Sequence, residues 1–467
     1  MNIKKVISMA AAASLGLTML ASCGGKDDSS ATESKKEVVN NNEEYTKVDG
    51  KGATLTVYTN RTDRCSKADG GDGYFEEAVK KFEEENNCKV KFVGLTDYSG
   101  DIKKKMTTND YGDVLCVPSD IKTEELATYF EPLGKYDELK DTYRWADQKM
   151  TSDKTVYGLA NAGSTVGILY NKKIWEDAGV KDLPKTPEEF IDGLKKIKEK
   201  NGNNVVPYYT EFKDGWCTNQ WANLVLSAAG DPAYKQKLIS TDAKLFDENG
   251  GYYKVYKMLV DLYSNTDLLE EDHANTDWEG SKVLLPSGKI SAICLGNWAV
   301  AQFKEKGGAN KDDVAYMPVP ITADDGKQYA QTSPDYFMGV SNKSENKDLA
   351  KSFVEWFIKN SGYSEHEDMI SGVVGKPLPA AIADWEGKVE FFDEAATPEE
   401  YVGVFDEIDD KSTLRSFGDS NDNFKIQLAQ AALDGKGEAE FKAITEDLNK
   451  KWDEARTAVL KEKGLNK

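Results

Sequence analysis

The sequence predicts an α/β protein of two lobes, the first of them doubly wound around a parallel sheet. From Thr54 the alternating run TLTVYT is followed by the amphipathic YFEEAVKKFEEENN and by a second alternating run, KVKFVGL, a pattern typical of a βαβ unit. A further strand at GDVLCVP and a helix at IKTEELATYF continue the alternation. The length of 467 residues exceeds what a single hydrophobic core holds, which indicates two lobes.

The amino terminus has the composition of a secretory signal peptide over residues 1–22. Two lysines at positions 4 and 5 precede an apolar run from Val6 to Leu20 that is too short to span a membrane. The signal ends in L-A-S-C, which resembles the bacterial lipoprotein box and predicts lipidation of Cys23; ordinary cleavage near small residues is the alternative. Residues 24–44 have almost no apolar content, so we expect a disordered tether over residues 23–51.

Charge and motif content exclude several classes of protein. The net charge of −21 opposes binding to nucleic acid or anionic lipid and favours an uncharged or cationic ligand. The two histidines, His273 and His366, stand in separate polar segments, and the sequence has no HExxH, CxxC, GxSxG, Walker A or GxGxxG motif. The segment DSNDNFKIQLAQ has calcium-loop spacing, but Phe424 replaces the essential glycine. We therefore expect neither a metal nor a cofactor.

Five cysteines remain if Cys23 is lipidated, and an odd number cannot all pair. Cys116 and Cys294 lie inside apolar, strand-like runs, where a thiol behaves as a small hydrophobic group. Buried free thiols are the main expectation, and a bridge between Cys65 and Cys88 is the alternative.

The segment KTPEEFIDGLKKIKEKNG has the residues that are typical of a helix start. Thr186 is the predicted N-cap, Pro187 occupies the first helical position, and Glu189 can complete a capping box. Near the carboxyl terminus, apolar residues from Phe441 to Val459 recur at helical spacing and predict a core-facing helix.

Several stretches together resemble a known family. YGLANAGSTVGILYNKKIWEDAGVKDLPKTPEEFIDGLKKIKEKNGNNVVPYY, residues 157–209, is similar to the family 1 extracellular solute-binding proteins, the sugar-capturing subunits of bacterial ABC importers. WANLVLSAAG, GKISAICLGNWAVAQF and VAYMPVPITADDGKQY follow in the family's order. The loop TNRTDRCSKADGGDGYFEE departs from the family pattern by its length.

The resemblance implies a type II periplasmic-binding-protein-like fold, in which two lobes, each with a mostly parallel sheet flanked by helices, close over a ligand cleft. It places the crossings between lobes near Ser164–Gly167, Asp313–Pro318 and Asn360. The expected N-terminal lobe comprises residues 52–163 and 315–360, and the C-terminal lobe comprises residues 164–314 and 361–467.

Four tryptophans are candidate stacking platforms for the apolar faces of a sugar. Trp216 and Trp221 lie in the polar segment FKDGWCTNQWAN, and Trp278 lies in NTDWEGS; packing under a loop is the alternative for each. In SAICLGNWAVAQF a buried strand turns into a helix, with Asn297 as the predicted N-cap and Trp298 as the first helical residue. At a strand's carboxyl end both residues would face the cleft, so Asn297 and Trp298 are candidate ligand contacts; for Trp298 a ring folded back as local core is the alternative.

Polar candidates stand beside these platforms. Asn60 and Arg61 end the first strand, at the carboxyl edge where open α/β sheets bind ligands. Asp113 resembles an acidic ligand-contacting position of the family, and the resemblance also places Asp335, Tyr336 and Ser164 near the cleft. Turn chemistry is the alternative for Asn60, Arg61 and Asp113.

These features predict a lipid-anchored binding protein, not an enzyme, that captures a carbohydrate, expected to be an oligosaccharide, and delivers it to the permease of an ABC transporter. We expect a monomer at the cell surface or in the periplasm, held to the membrane through Cys23. Two alternatives stay open: a secreted carbohydrate-active enzyme, because two carboxylates would suffice and 81 acidic residues are present, and a surface adhesin.

Overall fold

The computed structural model describes residues 40–118, 121–416 and 423–465. The predicted signal peptide, Cys23 and the first part of the tether lie outside the described residues. Among the helices of the described ranges, none is long and apolar enough to cross a membrane.

The N-terminal-lobe sheet has five strands and a mainly parallel centre. Its spatial order is Lys89–Gly94, Thr54–Thr59, Val114–Cys116, Phe337–Val340 and Leu159–Ala160. The first three run parallel, with Thr54 opposite Lys89 and Val57 opposite Val114. Phe337–Val340 runs antiparallel to both of its neighbours. The predicted βαβ unit is thus present.

The C-terminal-lobe sheet has three strands in the order Val314–Met317, Val166–Asn171 and Ala292–Gly296. Both pairings are antiparallel, which differs from the mostly parallel sheet expected for this lobe; a single parallel bridge joins Val206 to Ile290. The central strand enters the lobe from the crossing region, whereas its two neighbours run back toward that region, and this opposite direction imposes the antiparallel register.

A third, crossing sheet connects the lobes. Its strands, in spatial order, are Ile370–Ser371, Ala162–Ser164, Tyr329–Pro334 and Glu390–Asp393. A separate two-stranded sheet pairs Gly134–Lys135 with Thr155–Val156.

Two of the predicted crossing segments pair or pack within a single lobe. Val314–Met317, expected to cross near Asp313–Pro318, pairs along its whole length within the C-terminal-lobe sheet, and the crossing strand is instead Tyr329–Pro334. The crossing expected near Asn360 also comes later in the chain, because Tyr363, Met369 and Val373 still pack in the N-terminal-lobe core. The first crossing, Ala162–Ser164, begins only two residues before the predicted position.

Helices cover the sheets. Their bounds are Tyr74–Ala78, Lys80–Asn86, Tyr98–Thr107, Leu126–Tyr129, Tyr136–Leu139, Lys172–Asp177, Pro187–Asn201, Gly215–Asn219, Val225–Ala229, Tyr234–Ser240, Gly251–Tyr263, Trp278–Leu284, Ala299–Gly307, Lys347–Asn360, Tyr363–His366, Val404–Lys411, Phe424–Leu433 and Gly437–Glu462. Thr186 is the N-cap of Pro187–Asn201 as predicted and accepts a hydrogen bond from the N–H of Glu189. The Glu189 carboxylate, however, accepts from the N–H of Lys185.

Each lobe has its own aromatic core. In the N-terminal lobe Phe82 packs against Phe353 and Trp356. In the C-terminal lobe the predicted core stripe of Gly437–Glu462 is buried at Phe441, Leu448, Trp452 and Val459. All five cysteines of the described ranges, at positions 65, 88, 116, 217 and 294, are buried and unpaired with one another, in agreement with the expectation of free thiols.

Residues 40–51 differ from the predicted tether, which was expected to run to residue 51. This segment, here called the N-terminal strap, lies against two helices of the N-terminal lobe. The N–H of Thr46 donates to Glu355 (3.0 Å), the N–H of Val48 donates to the Asn86 side chain (2.9 Å), and the N–H of Asn41 donates to the Asn360 carbonyl (3.0 Å). These hydrogen bonds hold the strap on the N-terminal lobe although the segment has little apolar content.

Candidate functional site

Three tryptophan rings from separate chain segments meet in the C-terminal lobe. The ring centroids of Trp216 and Trp278 lie 5.6 Å apart, those of Trp278 and Trp298 5.5 Å, and those of Trp216 and Trp298 6.1 Å. Each residue is half-buried, and each stands at or near the start of a helix. We call this group the tryptophan cluster. Its partly exposed rings supply the flat apolar surface that stacking on a sugar face requires.

Trp298 occupies the turn between a buried strand and a helix, as the sequence predicts, but the capping prediction is wrong. The helix begins at Ala299, Trp298 occupies the cap position, and no side chain caps the helix. Gly296 is required here, because a Cβ on this residue would lie 2.2 Å from Nε1 of Trp298. The ring therefore folds over the end of its own strand, and it also packs against the N-terminal-lobe core and against buried residues of both lobes.

Asn297 is fully buried and links three segments of the chain. Its Oδ1 accepts a hydrogen bond from the N–H of Thr165 (2.8 Å), and its Nδ2 donates to the carbonyl of Asp368 (2.8 Å). Both polar atoms of the amide are engaged within the protein. Asn297 therefore fixes the position of the Trp298 turn relative to the crossing region and to residue 368, and it offers no exposed group to a ligand.

The N-terminal lobe contributes a polar group of residues at the carboxyl edge of its sheet. Asn60 is half-buried directly after the strand Thr54–Thr59, and its Oδ1 lies 4.0 Å from Sγ of Cys116. Asp335 follows the crossing strand and has an exposed side chain, while the ring of Tyr336 is half-buried and meets Tyr98 edge to face, with the centroids 6.0 Å apart. Asn60, Asp335 and Tyr336 thus form one polar and aromatic edge.

The carboxyl group of Asp335 is unusual electrostatically. Desolvation of the carboxylate by surrounding protein atoms raises its pKa to about 6. The positive charge of Arg61 opposes this rise, and the negative charge of Glu367 adds to it. Desolvation also raises the pKa of the Tyr336 hydroxyl to about 12, and the negative charge of Asp335 contributes to this rise. At neutral pH Asp335 is mainly a carboxylate, which can accept two hydrogen bonds from neighbouring hydroxyl groups.

Arg61 lies beside this edge, but its guanidinium is already engaged. It donates to both oxygens of Asp63 (2.9 and 2.8 Å), to the hydroxyl of Tyr363 (3.0 Å) and to Glu367 (2.8 Å). Arg64 donates to the same buried Glu367 (2.7 Å). These ion pairs tie the long loop after the first strand to the segment that follows residue 360. Arg61 holds this loop in place and supplies a positive potential near Asp335.

Two predicted contacts lie elsewhere. Asp113 precedes its strand, at the edge opposite to Asn60, and its carboxylate accepts from the N–H of Thr56 (2.8 Å) and the hydroxyl of Ser344 (2.5 Å). It joins strands and does not face the cluster. Trp221 is 1% exposed and packs edge to face on Tyr263 in the C-terminal-lobe core, so its ring has no exposed face for a ligand and agrees with the packing alternative. Ser164 lies half-buried in the crossing sheet opposite Ser333.

Glu211 is a feature that sequence reasoning missed. It is 1% exposed, its φ of +52° lies in the left-handed region, and neither carboxylate oxygen has a hydrogen-bond partner among the described residues. Burial raises the pKa of Glu211 to about 7, while the adjacent side chains of Ser281 and Cys217 oppose the rise. The residue lies behind the two helices that begin near Trp216 and Trp278, and no sequence motif distinguishes it from the other glutamates.

Two cavities of the described chain lie outside the tryptophan cluster. One of about 10 Å³ is lined by Thr59, Cys116 and Asn161 among others, and a groove of about 540 Å³ runs along Tyr170, Lys181 and Asp384. No group of three or more histidine, cysteine, aspartate or glutamate residues within the described ranges could hold a metal ion. The tryptophan cluster therefore remains the candidate site.

Comparison with known proteins places the chain in a family. The model of the bacterial extracellular solute-binding proteins matches residues 68–363, and the chain belongs to this family. Two solved structures from Bifidobacterium animalis subsp. lactis are each 32% identical and cover 87% of this chain: BlMnBP1 with mannobiose (TM-score 0.75) and the manno-oligosaccharide-specific BlMnBP2 with mannotriose (TM-score 0.76). Each match spans 95% of the bifidobacterial chain.

A curated relative agrees with this assignment. The diacetylchitobiose-binding protein DasA of Streptomyces coelicolor is 26% identical over 373 residues, which are 75% of this chain and 77% of DasA. The predicted type II two-lobe fold is confirmed by these structural neighbours. The family and its neighbours are binding proteins of the extracellular side.

Proposed function

We propose that this protein captures an oligosaccharide by closure of its two lobes and delivers it to the permease of an ABC transporter. The observation that carries the proposal is the tryptophan cluster, whose three half-buried rings lie within about 6 Å of one another. Such rings stack on the C–H faces of pyranosides, and one ring alone would hold a single sugar unit less firmly. The relatives that bind mannobiose, mannotriose and diacetylchitobiose support a ligand of two or three sugar units.

The polar edge of the N-terminal lobe supplies the complementary contacts. Asp335 is exposed and accepts hydrogen bonds from sugar hydroxyls, and Asn60 offers a carbonyl and an amide. Stacking on one lobe and hydrogen bonding from the other stabilise the closed arrangement over the open one, because the ligand then contacts both lobes together. No covalent step is required. We assign binding, not turnover, to the site.

Titration with sugars tests the proposal. We expect saturable quenching of tryptophan fluorescence by mannotriose or by diacetylchitobiose, with no product after prolonged incubation. At a ligand concentration of about 100 times Kd the free energy of unfolding should rise by about 2.7 kcal/mol, which a thermal-shift screen detects. Release of smaller sugars would support a secreted enzyme instead, and the absence of any response across a panel of mono- and oligosaccharides would support an adhesin.

We further propose that Cys23 carries a lipid anchor and that the protein is a monomer at the membrane surface. The sixteen residues 24–39 separate Cys23 from the N-terminal strap, and a fully extended chain of that length reaches about 55 Å. In fractionated cells the full chain should sediment with membranes, and Cys23→Ser should shift it to the soluble or secreted fraction. Equal membrane recovery of both forms would contradict the anchor.

A further inference from the structure

The relative placement of Trp216 and Trp278 depends on two loops that are distant in sequence. Trp216 follows residues 210–214, and Trp278 follows residues 270–277. A platform built from two such loops keeps its geometry only if the loops are fixed to each other, since loops are otherwise the more mobile parts of a fold.

A continuous series of hydrogen bonds joins these loops. At one end the N–H and hydroxyl of Thr210 donate to Glu270. In the middle Thr276 accepts from the N–H of Phe212 at its hydroxyl (3.1 Å) and from the N–H of Lys213 at its carbonyl (3.2 Å). At the other end the N–H of Trp278 donates to Oδ2 of Asp214 (2.7 Å).

We propose that Asp214 is a positioning residue that holds the rings of Trp216 and Trp278 in their binding arrangement; the inference rests on the proposed sugar-binding function. Asp214 immediately precedes the helix Gly215–Asn219, which carries Trp216, and its carboxylate accepts from the first residue of the helix Trp278–Leu284. The Asp214 side chain therefore joins the start of the helix that carries Trp216 to the start of the helix that begins at Trp278. The bond involves a charged acceptor, which makes it shorter and stronger than a neutral one.

The neighbouring carboxylate does not duplicate this role. Oδ1 of Asp277 accepts from the N–H of Gly280 (2.7 Å) and caps its own helix, and Oδ2 of Asp277 pairs with the exposed Lys213 (3.4 Å). Without Asp214 the N–H of Trp278 would lack a side-chain acceptor at the start of its helix. The third ring is fixed independently, because Trp298 folds over Gly296. Loss of Asp214 should therefore disturb two rings of the cluster and leave the third in place.

The experiment compares three variants of the full chain with wild type. Asp214→Ala removes the acceptor, Asp214→Asn retains an acceptor oxygen, and Lys213→Ala removes only the neighbouring exposed ion pair. Affinity for mannotriose and diacetylchitobiose is measured by calorimetry, and the near-ultraviolet circular dichroism of the unliganded protein reports the coupling between tryptophan rings. Hydrogen exchange of the Trp278 amide in wild type provides a test without any substitution.

We expect Asp214→Ala to weaken sugar binding about tenfold, the effect of one lost hydrogen bond, and to change the tryptophan circular dichroism. Asp214→Asn and Lys213→Ala should stay within about twofold of wild type, and the Trp278 amide should be protected. Unchanged spectra for Asp214→Ala, equal losses in Asp214→Ala and Asp214→Asn, or an unprotected Trp278 amide would overturn the proposal. If wild type binds no sugar, the proposed function fails, and the spectra and amide exchange alone decide on Asp214.

Discussion

Replacement of Trp298 by alanine should lower the affinity for oligosaccharide at least about 100-fold, which corresponds to about 2.7 kcal/mol of binding free energy. Trp298 packs against the N-terminal-lobe core and against a cluster of buried residues from both lobes, which includes Leu115 and Ile293. In the proposed binding mode its ring therefore contacts a ligand held between the lobes. Because the residue is only half-buried and occupies a turn, its removal should change the melting temperature little. Isothermal calorimetry and a thermal melt of the unliganded protein measure the two effects.

The matched control is Trp298→Phe, which keeps an aromatic face and should retain part of the affinity. The interpretation of Trp298 as a platform fails if alanine at this position unfolds the protein while the residual folded fraction binds sugar normally. In that case the ring is local core, the alternative that the sequence left open.

Replacement of Glu211 by glutamine should remove a pH dependence of about 3 kcal/mol from the free energy of unfolding. Burial raises the pKa of Glu211 to about 7 from the ordinary glutamate value of 4.5, so the folded state binds this proton more tightly than the unfolded state. Stability from this group is full below about pH 4.5 and is lost as the pH rises to about 7. Above that pH the folded protein contains a buried carboxylate whose oxygens accept no hydrogen bond from the described residues.

Urea unfolding between pH 4.5 and 8 measures this effect. The wild-type free energy of unfolding should decline relative to that of Glu211→Gln as the pH rises, while any constant cost of the new amide shifts the variant's curve without changing its slope. Glu199→Gln, at an exposed helix position, serves as the control and should follow the wild-type curve. Parallel curves for wild type and Glu211→Gln would show that Glu211 titrates normally in the folded state.

The parts of the fold that follow from local patterns could be predicted from the sequence. Thr186 and Pro187 mark the start of their helix because capping depends on a few adjacent residues. The βαβ unit and the core stripe near Trp452 likewise depend on periodicity. The second crossing is hard to place from the sequence, because Val314–Met317 and Tyr329–Pro334 are both short strands and only their long-range pairing shows which sheet each one joins.

The candidate site likewise contains residues that local sequence identifies and residues that only long-range contacts identify. Trp216 and Trp221 share one polar segment, but the chain turns inward between them, so one ring stays half-exposed and the other is buried in the core. Composition cannot reveal that turn. The position of Asp113, in contrast, was predictable: a residue that precedes a parallel strand lies at the edge opposite to the strand's carboxyl end. Glu211 and Asp214 could not be identified, since their importance arises from burial and from a partner more than 60 residues away.

The N-terminal strap has a mechanical consequence for an anchored protein. A force applied at Asn40 by a membrane attachment first reaches the hydrogen bonds to Ala78, Asn360 and Glu355, all of which belong to helices of one lobe. A force on the strap is distributed over these hydrogen bonds. The helix Lys347–Asn360, which packs in the N-terminal-lobe core, transmits the force to that core. The crossing strand Ala162–Ser164 lies beyond these attachments. If the proposed anchor at Cys23 holds the protein to the membrane, drag on the protein would load the N-terminal lobe through the strap, and the strap would place no direct load on the C-terminal lobe.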